Sequence, residues 1–190
     1  MKNTSGDGGF FYASAFSTPY IQIRIADVYT NAEYISNTLH ELGHFNHYQK
    51  NGGFSNYNNV ISLIKESYAD YVAWYLSRNY YTDCNSGLYN PSWESFLAKN
   101  NQVWTVNMNS DYSPLFIDLV DDYNQHTSYS SNYVNDMVSD VPHYMIPSIV
   151  SNKKTWQEMK QCLFGYVGMY YTITEFNAFI SYYDDYCSGH

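Results

Sequence analysis

The first regular pattern along the chain is a strict alternation of apolar and polar residues in PYIQIRIA, residues 19–26. Its three isoleucines fall on one side of an extended chain, and Tyr20, Gln22 and Arg24 fall on the other. This alternation predicts a strand with one buried face. Pro19 at its start favours the edge of a sheet, because proline cannot donate a ladder hydrogen bond.

Helix signals follow this strand. Thr30 and Glu33 have the spacing of a capping box, in which two side chains satisfy backbone N–H groups at a helix start. A helix is predicted from there to about Lys50. Asn51-Gly52-Gly53 supplies residues that tolerate the left-handed conformation with which helices end.

A second helix is predicted to begin near Asn58 or Asn59 and to continue through VISLIKESYADYVAWYLSR. Apolar and aromatic residues recur there at helical spacing, namely Val60, Ile64, Tyr68, Tyr71 and Tyr75. The helix should end before the turn-rich TDCNSGLYNPS.

The second half of the chain carries signals for short helices. They are Ser113-Pro114 as the cap and first residue of one helix, and two further capping boxes, Thr155 with Glu158 and Thr172 with Glu175. We therefore expect a first lobe over residues 1–81 and a helical lobe over residues 82–190, with the boundary at about residues 82–91.

Composition and charge narrow the classes of partner. The 190 residues suffice for one domain, but only 14% are charged, against about 25% in typical proteins. Eighteen acidic and nine basic residues give a net charge of -9. This charge repels phosphate backbones and anionic lipid heads, so nucleic acid is not an expected partner.

No stretch of the sequence approaches the ~18 apolar residues of a membrane span. A polar composition rich in Tyr and Asn, with few lysines, is typical of an exported protein. An extracytoplasmic or secreted location is therefore expected, with its signal absent from this chain. Cys84, Cys162 and Cys187 are spaced too widely for a zinc knuckle or a redox pair, and either one disulfide with a free thiol or three buried thiols fits them.

The segment TLHELGHFNHYQ concentrates three of the chain's six histidines. On a helix, His40 and His44 lie about 40° apart and about 6 Å along the axis, so both can direct a ring nitrogen at one point. Glu41 is offset to the side, where it can reach a water held by a metal ion and accept its proton. The segment thus has the H-E-x-x-H pattern of zinc hydrolases.

The third ligand cannot be His47, although this residue lies on the same helical face. Seven residues of helix separate His40 from His47 by about 10.5 Å, whereas the ligands of one zinc lie within about 4 Å of each other. His47 is instead expected to be a polar residue at the mouth of a cleft. The longer pattern H-E-x-x-H-x-x-G-x-x-H also fails, because His47 and Lys50 stand where it needs Gly and His.

The second helix offers a better third ligand. Glu66 and Asp70 lie four residues apart on one face of a helix that is otherwise apolar and aromatic, and such carboxylates need partners. The alternative is a solvent-facing stripe that pairs with Lys65 or Arg78. The 21 residues between His44 and Glu66 suffice to turn the chain and bring the second helix antiparallel to the first.

Over residues 20–78, HELGH followed by ESYAD resembles the gluzincin metallopeptidases, the thermolysin-like clan. The resemblance implies that His40, His44 and Glu66 bind Zn²⁺ and that Glu41 is the general base. It also implies that Asp70 orients a zinc-bound histidine, with His40 as the expected partner. In this family an edge strand ahead of the first helix binds extended substrate, and PYIQIR stands in that place.

The same resemblance implies an α+β, zincin-like fold, with a small N-terminal antiparallel sheet, an active-site helix pair and a helical C-terminal lobe in a single domain over residues 1–190. The sequence departs from the family at Lys65, where many members have Asn, and in its small size. The auxiliary acid of the family cannot be placed by motif; His143 and Tyr57 are candidates.

Three functions fit these observations. The leading interpretation is a zinc metallopeptidase that acts on a peptide or protein substrate, with the oligomeric state open. The alternative is a catalytically silent binding or adhesion module on a zincin scaffold, favoured by the small size and by the 23 tyrosines. The third is a metal-free helical domain in which both motifs are coincidental.

Overall fold

The protein is described by a computed structural model over residues 9–23, 31–83, 113–122, 124–128, 134–135 and 137–187. Across these ranges the fold is α+β, with a small two-stranded antiparallel sheet followed by helices. None of the helices in the described ranges is both long and apolar enough to cross a membrane.

The sheet is a hairpin of β1 (Gly9–Ser14) and β2 (Ser17–Ile23). Phe11 pairs with Ile21 and Gly9 pairs with Ile23. The ring of Phe11 contacts Phe45 and Tyr48, so this face of the sheet packs against the helix that follows. The alternation predicted for β2 is confirmed up to Ile23, because Ile21 and Ile23 are half-buried and the residues between and before them are exposed. Arg24 to Ala26 lie outside the described residues. Strand β1 was not predicted.

The first helix, α1 (Asn31–Lys50), has the predicted length. Its C-terminus is closed by backbone hydrogen bonds from Asn51 to His47 and from Gly53 to Tyr48, with φ of +73° at Gly52 and +107° at Gly53. The predicted role of the two glycines is confirmed. The capping box at Thr30 lies outside the described residues.

The second predicted helix is divided. A short helix α2 (Phe54–Asn58) comes first, and α3 (Ser62–Asp83) begins only after a turn. In this turn the Val60 N–H donates to the Tyr57 carbonyl and the Ile61 N–H donates to the Lys154 carbonyl. The predicted start near Asn58 was wrong, because a hydrogen bond to a distant loop takes the N–H of Ile61.

Helices α1 and α3 pack directly against each other, and Gly43 sets their distance. A Cβ atom on Gly43 would lie 2.7 Å from Ala69 Cα and 3.1 Å from the Ala69 carbonyl oxygen. Real Cβ atoms do not approach so closely, so only glycine fits. The contacts of His40 with Asp70 and of His44 with Glu66 show that the two helices run antiparallel, as predicted.

The remaining helices cover the other side of α3. They are α4 (Leu115–Asp118), α5 (Gln125–Ser128), a 3-10 turn (His143–Met145), α6 (Ile146–Val150), α7 (Trp156–Val167) and α8 (Ile173–Cys187). Buried residues from α3 and from these helices form one core, which includes Leu63, Ile64, Phe116, Ile149, Leu163 and Phe179.

The helix caps of this half follow the sequence closely. In α7 the Glu158 N–H donates to Thr155 Oγ1 at 3.2 Å and the Thr155 N–H donates to Glu158 Oε2 at 3.3 Å, as a capping box requires. Thr172 and Glu175 form the same pair of bonds. Ser113 accepts a hydrogen bond from the Leu115 N–H, but α4 ends at Asp118 and is shorter than predicted.

Cys162 is a free, partly buried thiol, and the side chains of Cys84 and Cys187 lie outside the described residues. The proposed lobe boundary at residues 82–91 also lies outside them, apart from the last turn of α3. The division into two lobes therefore stays a prediction.

We expect Gly43→Ala to lower the free energy of unfolding by about 1–3 kcal/mol, because the added methyl group overpacks the contact with Ala69. Chemical denaturation of the metal-free protein measures this change. The control is Gly165→Ala in α7, where nothing lies within 4 Å of the added Cβ. It should raise stability by about 0.5–1 kcal/mol through helix propensity alone. Equal effects of the two substitutions would contradict the close packing described here.

Candidate metal centre

Side chains from α1 and α3 converge on one point. His40 Nε2 and His44 Nε2 are 3.0 Å apart, and Glu66 Oε2 lies 3.2 Å from the first and 3.1 Å from the second. These three atoms form a nearly equilateral triangle, the ligand triangle. Ligand atoms around a tetrahedral zinc with bonds of about 2.0–2.1 Å are separated by about 3.3 Å. The triangle therefore has the size and the donor atoms for such an ion.

The helices explain why the ligand triangle forms. Four residues on α1 bring His40 and His44 onto one face, and the close contact at Gly43 lets Glu66 reach both from α3. The side chains of His44 and Glu66 are 8% and 25% exposed, respectively. The triangle is therefore partly sheltered but open to solvent on the side of Glu66.

Asp70 holds the outer nitrogen of His40. Its Oδ1 lies 2.8 Å from His40 Nδ1, so the Nδ1–H donates to the carboxylate and Nε2 is directed at the ligand triangle. This places Asp70 against His40, the partner that the family resemblance implies. The alternative was that Glu66 and Asp70 face solvent and pair with Lys65. The structure does not have this arrangement, because both carboxylates contact the histidines of α1.

The charges of this cluster stabilise each other. Burial lowers the pKa of His40, but the hydrogen bonds and charges of Asp70 and Glu66 outweigh it and raise this pKa to about 10. Burial raises the pKa of Glu66, yet the two histidines outweigh it and lower this pKa to about 2. The two carboxylates thus favour the charged form of His40, and the histidines favour the charged form of Glu66.

Glu41 lies beneath the hairpin next to the ligand triangle. It is only 6% exposed, and its Oε2 makes no hydrogen bond with any described residue. Burial raises its pKa, while the charges of His44 and His40 and the N–H of Phe11 act in the opposite direction. A sheltered carboxylate with one free oxygen and a raised pKa is suited to accept and return a proton.

Strand β1 covers this carboxylate. A Cβ on Gly9 would lie 3.2 Å from Glu41 Cγ, and the ring of Phe11 stacks on His44 with centroids 6.5 Å apart. The sequence pointed to PYIQIR in β2 as the strand beside the site. The structure shows that β1 also lies against Glu41 and His44. The aromatic run FFY, which is typical of a strand, is the sequence feature that could have predicted β1.

Tyr57 contacts the second ring nitrogen of His44, Nδ1. Its hydroxyl lies 3.1 Å from His44 Nδ1, the nitrogen directed away from the ligand triangle. The sequence suggested Tyr57 as an auxiliary acid facing the substrate. Its hydroxyl instead lies at the nitrogen of His44 that faces away from the ligand triangle, a contact that no motif indicates.

His143, the other candidate auxiliary acid, is not part of this cluster. It lies in the 3-10 turn and stacks on Tyr75 with centroids 4.7 Å apart, and its carbonyl accepts a hydrogen bond from Tyr71. Nine residues of helix turn Tyr75 to the side of α3 opposite Glu66. The structure therefore separates His143 from the ligand triangle.

His47 is fully buried, and its predicted place at the mouth of a cleft was wrong. Its ring packs against Tyr57 and Tyr68, with centroids 5.5 and 5.2 Å away, respectively. Burial lowers its pKa to about 4, although the Val150 carbonyl opposes this effect. His47 does not belong to the ligand triangle, in agreement with the spacing argument. Tyr57 and Tyr68, which belong to other helices, pack against this turn of α1 and bury His47. The spacing of residues within one helix cannot predict such contacts.

Comparisons of the chain with models of known protein families, with curated proteins and with solved structures give no match. The description of the site therefore rests on its residues and its geometry. Within the described ranges, His40, His44 and Glu66 form a group that can hold a metal ion.

We expect Asp70→Ala to weaken zinc affinity by about 10–100-fold, because His40 loses the acceptor that fixes its tautomer and orientation. Competition with a chelator of known affinity measures the change, and circular dichroism verifies that the chain is folded. The control is Asp122→Ala, which removes an exposed carboxylate. Unchanged zinc affinity in Asp70→Ala would make this carboxylate a surface group without a role at the site.

Proposed function

We propose that this protein is a zinc-dependent metallopeptidase of the gluzincin type. The observation that supports the proposal is the ligand triangle of two imidazole nitrogens and one carboxylate oxygen, with a buried carboxylate beside it and an acceptor behind each imidazole. Three protein ligands leave the fourth position of a tetrahedral zinc for water or substrate, which is the arrangement of catalytic rather than structural zinc.

Each residue has a definite task in this reaction. His40, His44 and Glu66 would hold the ion, and Asp70 keeps Nε2 of His40 available to it. Bound Zn²⁺ supplies a Lewis acid that polarises the scissile carbonyl and lowers the pKa of water. Glu41 accepts the proton of the attacking water and returns it to the leaving amine, so that one water and one peptide bond give a carboxylate and an amine.

The surroundings of Glu41 support this role. The hairpin covers one side of the carboxylate, and burial raises its pKa, which makes it a stronger base. The substrate is a peptide or protein segment in extended conformation, bound along one edge of the β1–β2 hairpin. We place the protein outside the cytoplasm on the basis of its composition.

A second function is a catalytically silent zinc-binding module for adhesion. The observation that favours it is that both candidate auxiliary acids are directed elsewhere, Tyr57 behind His44 and His143 against Tyr75. Exposed aromatic rings on the outer face of the hairpin, Phe10, Tyr12 and Tyr20, offer a surface for such a partner.

We expect the purified protein to bind one zinc per chain, measured by elemental analysis after reconstitution and removal of loosely bound metal. Glu66→Ala should lose this zinc, because two imidazoles alone do not complete the site. The control Glu175→Ala removes an exposed carboxylate that caps α8 and should keep one zinc. Absence of zinc from the wild-type protein would reject both functions proposed here.

We expect Glu41→Gln to keep one zinc while peptide hydrolysis falls by about 10²–10⁴-fold, because the substitution preserves shape and removes only proton transfer. The assay is turnover of a broad peptide library by zinc-loaded protein. If zinc-loaded wild-type protein cleaves no peptide, the binding module is the better description. If Glu41→Gln cleaves as fast as wild type, Glu41 is not the base.

A further inference from the structure

Both imidazoles of the ligand triangle have an oxygen atom at their outer nitrogen, and the two oxygens differ in chemistry. The oxygen at His40 belongs to the carboxylate of Asp70, at 2.8 Å. The oxygen at His44 belongs to the hydroxyl of Tyr57, at 3.1 Å. A phenol is uncharged at neutral pH, because its ordinary pKa is about 10, whereas a carboxylate carries a negative charge.

The ring of Tyr57 is held in place from several directions. Phe11, His47 and Tyr48 contact it edge-on, with centroids 5.8, 5.5 and 5.9 Å away, respectively, and the ammonium of Lys65 lies 5.4 Å from its centroid. The residue is only 8% exposed. Its hydroxyl therefore has a fixed position, and the orientation of the His44 ring must match it for the hydrogen bond to form.

The contact with Tyr57 is compatible with the tautomer of His44 that metal binding requires. A neutral imidazole that binds a metal through Nε2 must carry its hydrogen on Nδ1. In this tautomer the Nδ1–H donates to the Tyr57 oxygen, so the ring orientation that satisfies Tyr57 also directs Nε2 at the ligand triangle. Without an acceptor there, a buried N–H would be left unsatisfied.

We propose that Tyr57 is a positioning residue that fixes the ring orientation of His44, and that the short helix α2 thereby helps to set the metal affinity of the site. The proposal rests on the zinc site of the proposed function. It assigns Tyr57 no contact with substrate.

The test compares Tyr57→Phe with Tyr48→Phe. Tyr48 and Tyr57 are neighbouring rings, and each substitution removes one hydroxyl group. The Tyr48 hydroxyl, however, makes no hydrogen bond with the described residues. Zinc affinity is measured by chelator competition, at a temperature where the metal-free chains are folded. We expect Tyr57→Phe to weaken zinc affinity by about 10–100-fold. Tyr48→Phe should leave it unchanged.

The visible absorption of the cobalt-substituted protein gives a second readout. Because this spectrum reports the geometry around the ion, Tyr57→Phe should change its band positions or intensities, and Tyr48→Phe should reproduce the wild-type spectrum. A role in packing alone would alter stability without altering the spectrum of the folded, metal-loaded chain.

The outcomes separate this inference from the proposed function. Wild-type protein that binds no zinc overturns the metal centre itself. Wild-type protein that binds zinc, with Tyr57→Phe of equal affinity and an identical cobalt spectrum, overturns only the role of Tyr57. Equal losses in both variants, or unfolding of the metal-free Tyr57→Phe chain, would show that Tyr57 only packs and would likewise overturn the proposal.

Discussion

The close contact between α1 and α3 at Gly43 is the constraint on which the rest of this site depends. The side chains of His44 and Glu66 are short, and their ligand atoms can lie 3.1 Å apart only if the two helix backbones are near each other. The absent side chain of Gly43 and the small side chain of Ala69 permit this approach. The packing of two small residues thus decides whether four polar residues form one cluster.

The cluster also has to be stable as a group of charges. Two carboxylates and two imidazoles, all of them half-buried or buried, would each lose hydration energy if they stood alone. Asp70 and Glu66 lie on opposite sides of His40 and compensate its charge, which is why the pKa of His40 rises and that of Glu66 falls. The four side chains thus hold each other in place, which would lower the entropic cost of binding a cation at this point.

Elements outside the helix pair complete the site from two sides. Strand β1 covers Glu41 and places the ring of Phe11 on His44, while α2 places a phenol behind the same histidine. Glu41 and His44 are therefore the most sheltered members of the site, whereas Glu66 faces solvent. The cluster is therefore open to solvent mainly on the side of Glu66.

What the sequence determined by itself is the part that depends on local geometry. Helical spacing places His40 with His44 and Glu66 with Asp70, glycines at 52 and 53 end α1, and Thr155 with Glu158 caps α7, because each relation spans only a few residues. Only the tertiary structure decided that α3 starts at Ser62, that His47 is buried and that the Tyr57 hydroxyl contacts His44. These features arise from contacts between segments distant in sequence, whose approach depends on how whole helices pack, and no short pattern records that packing.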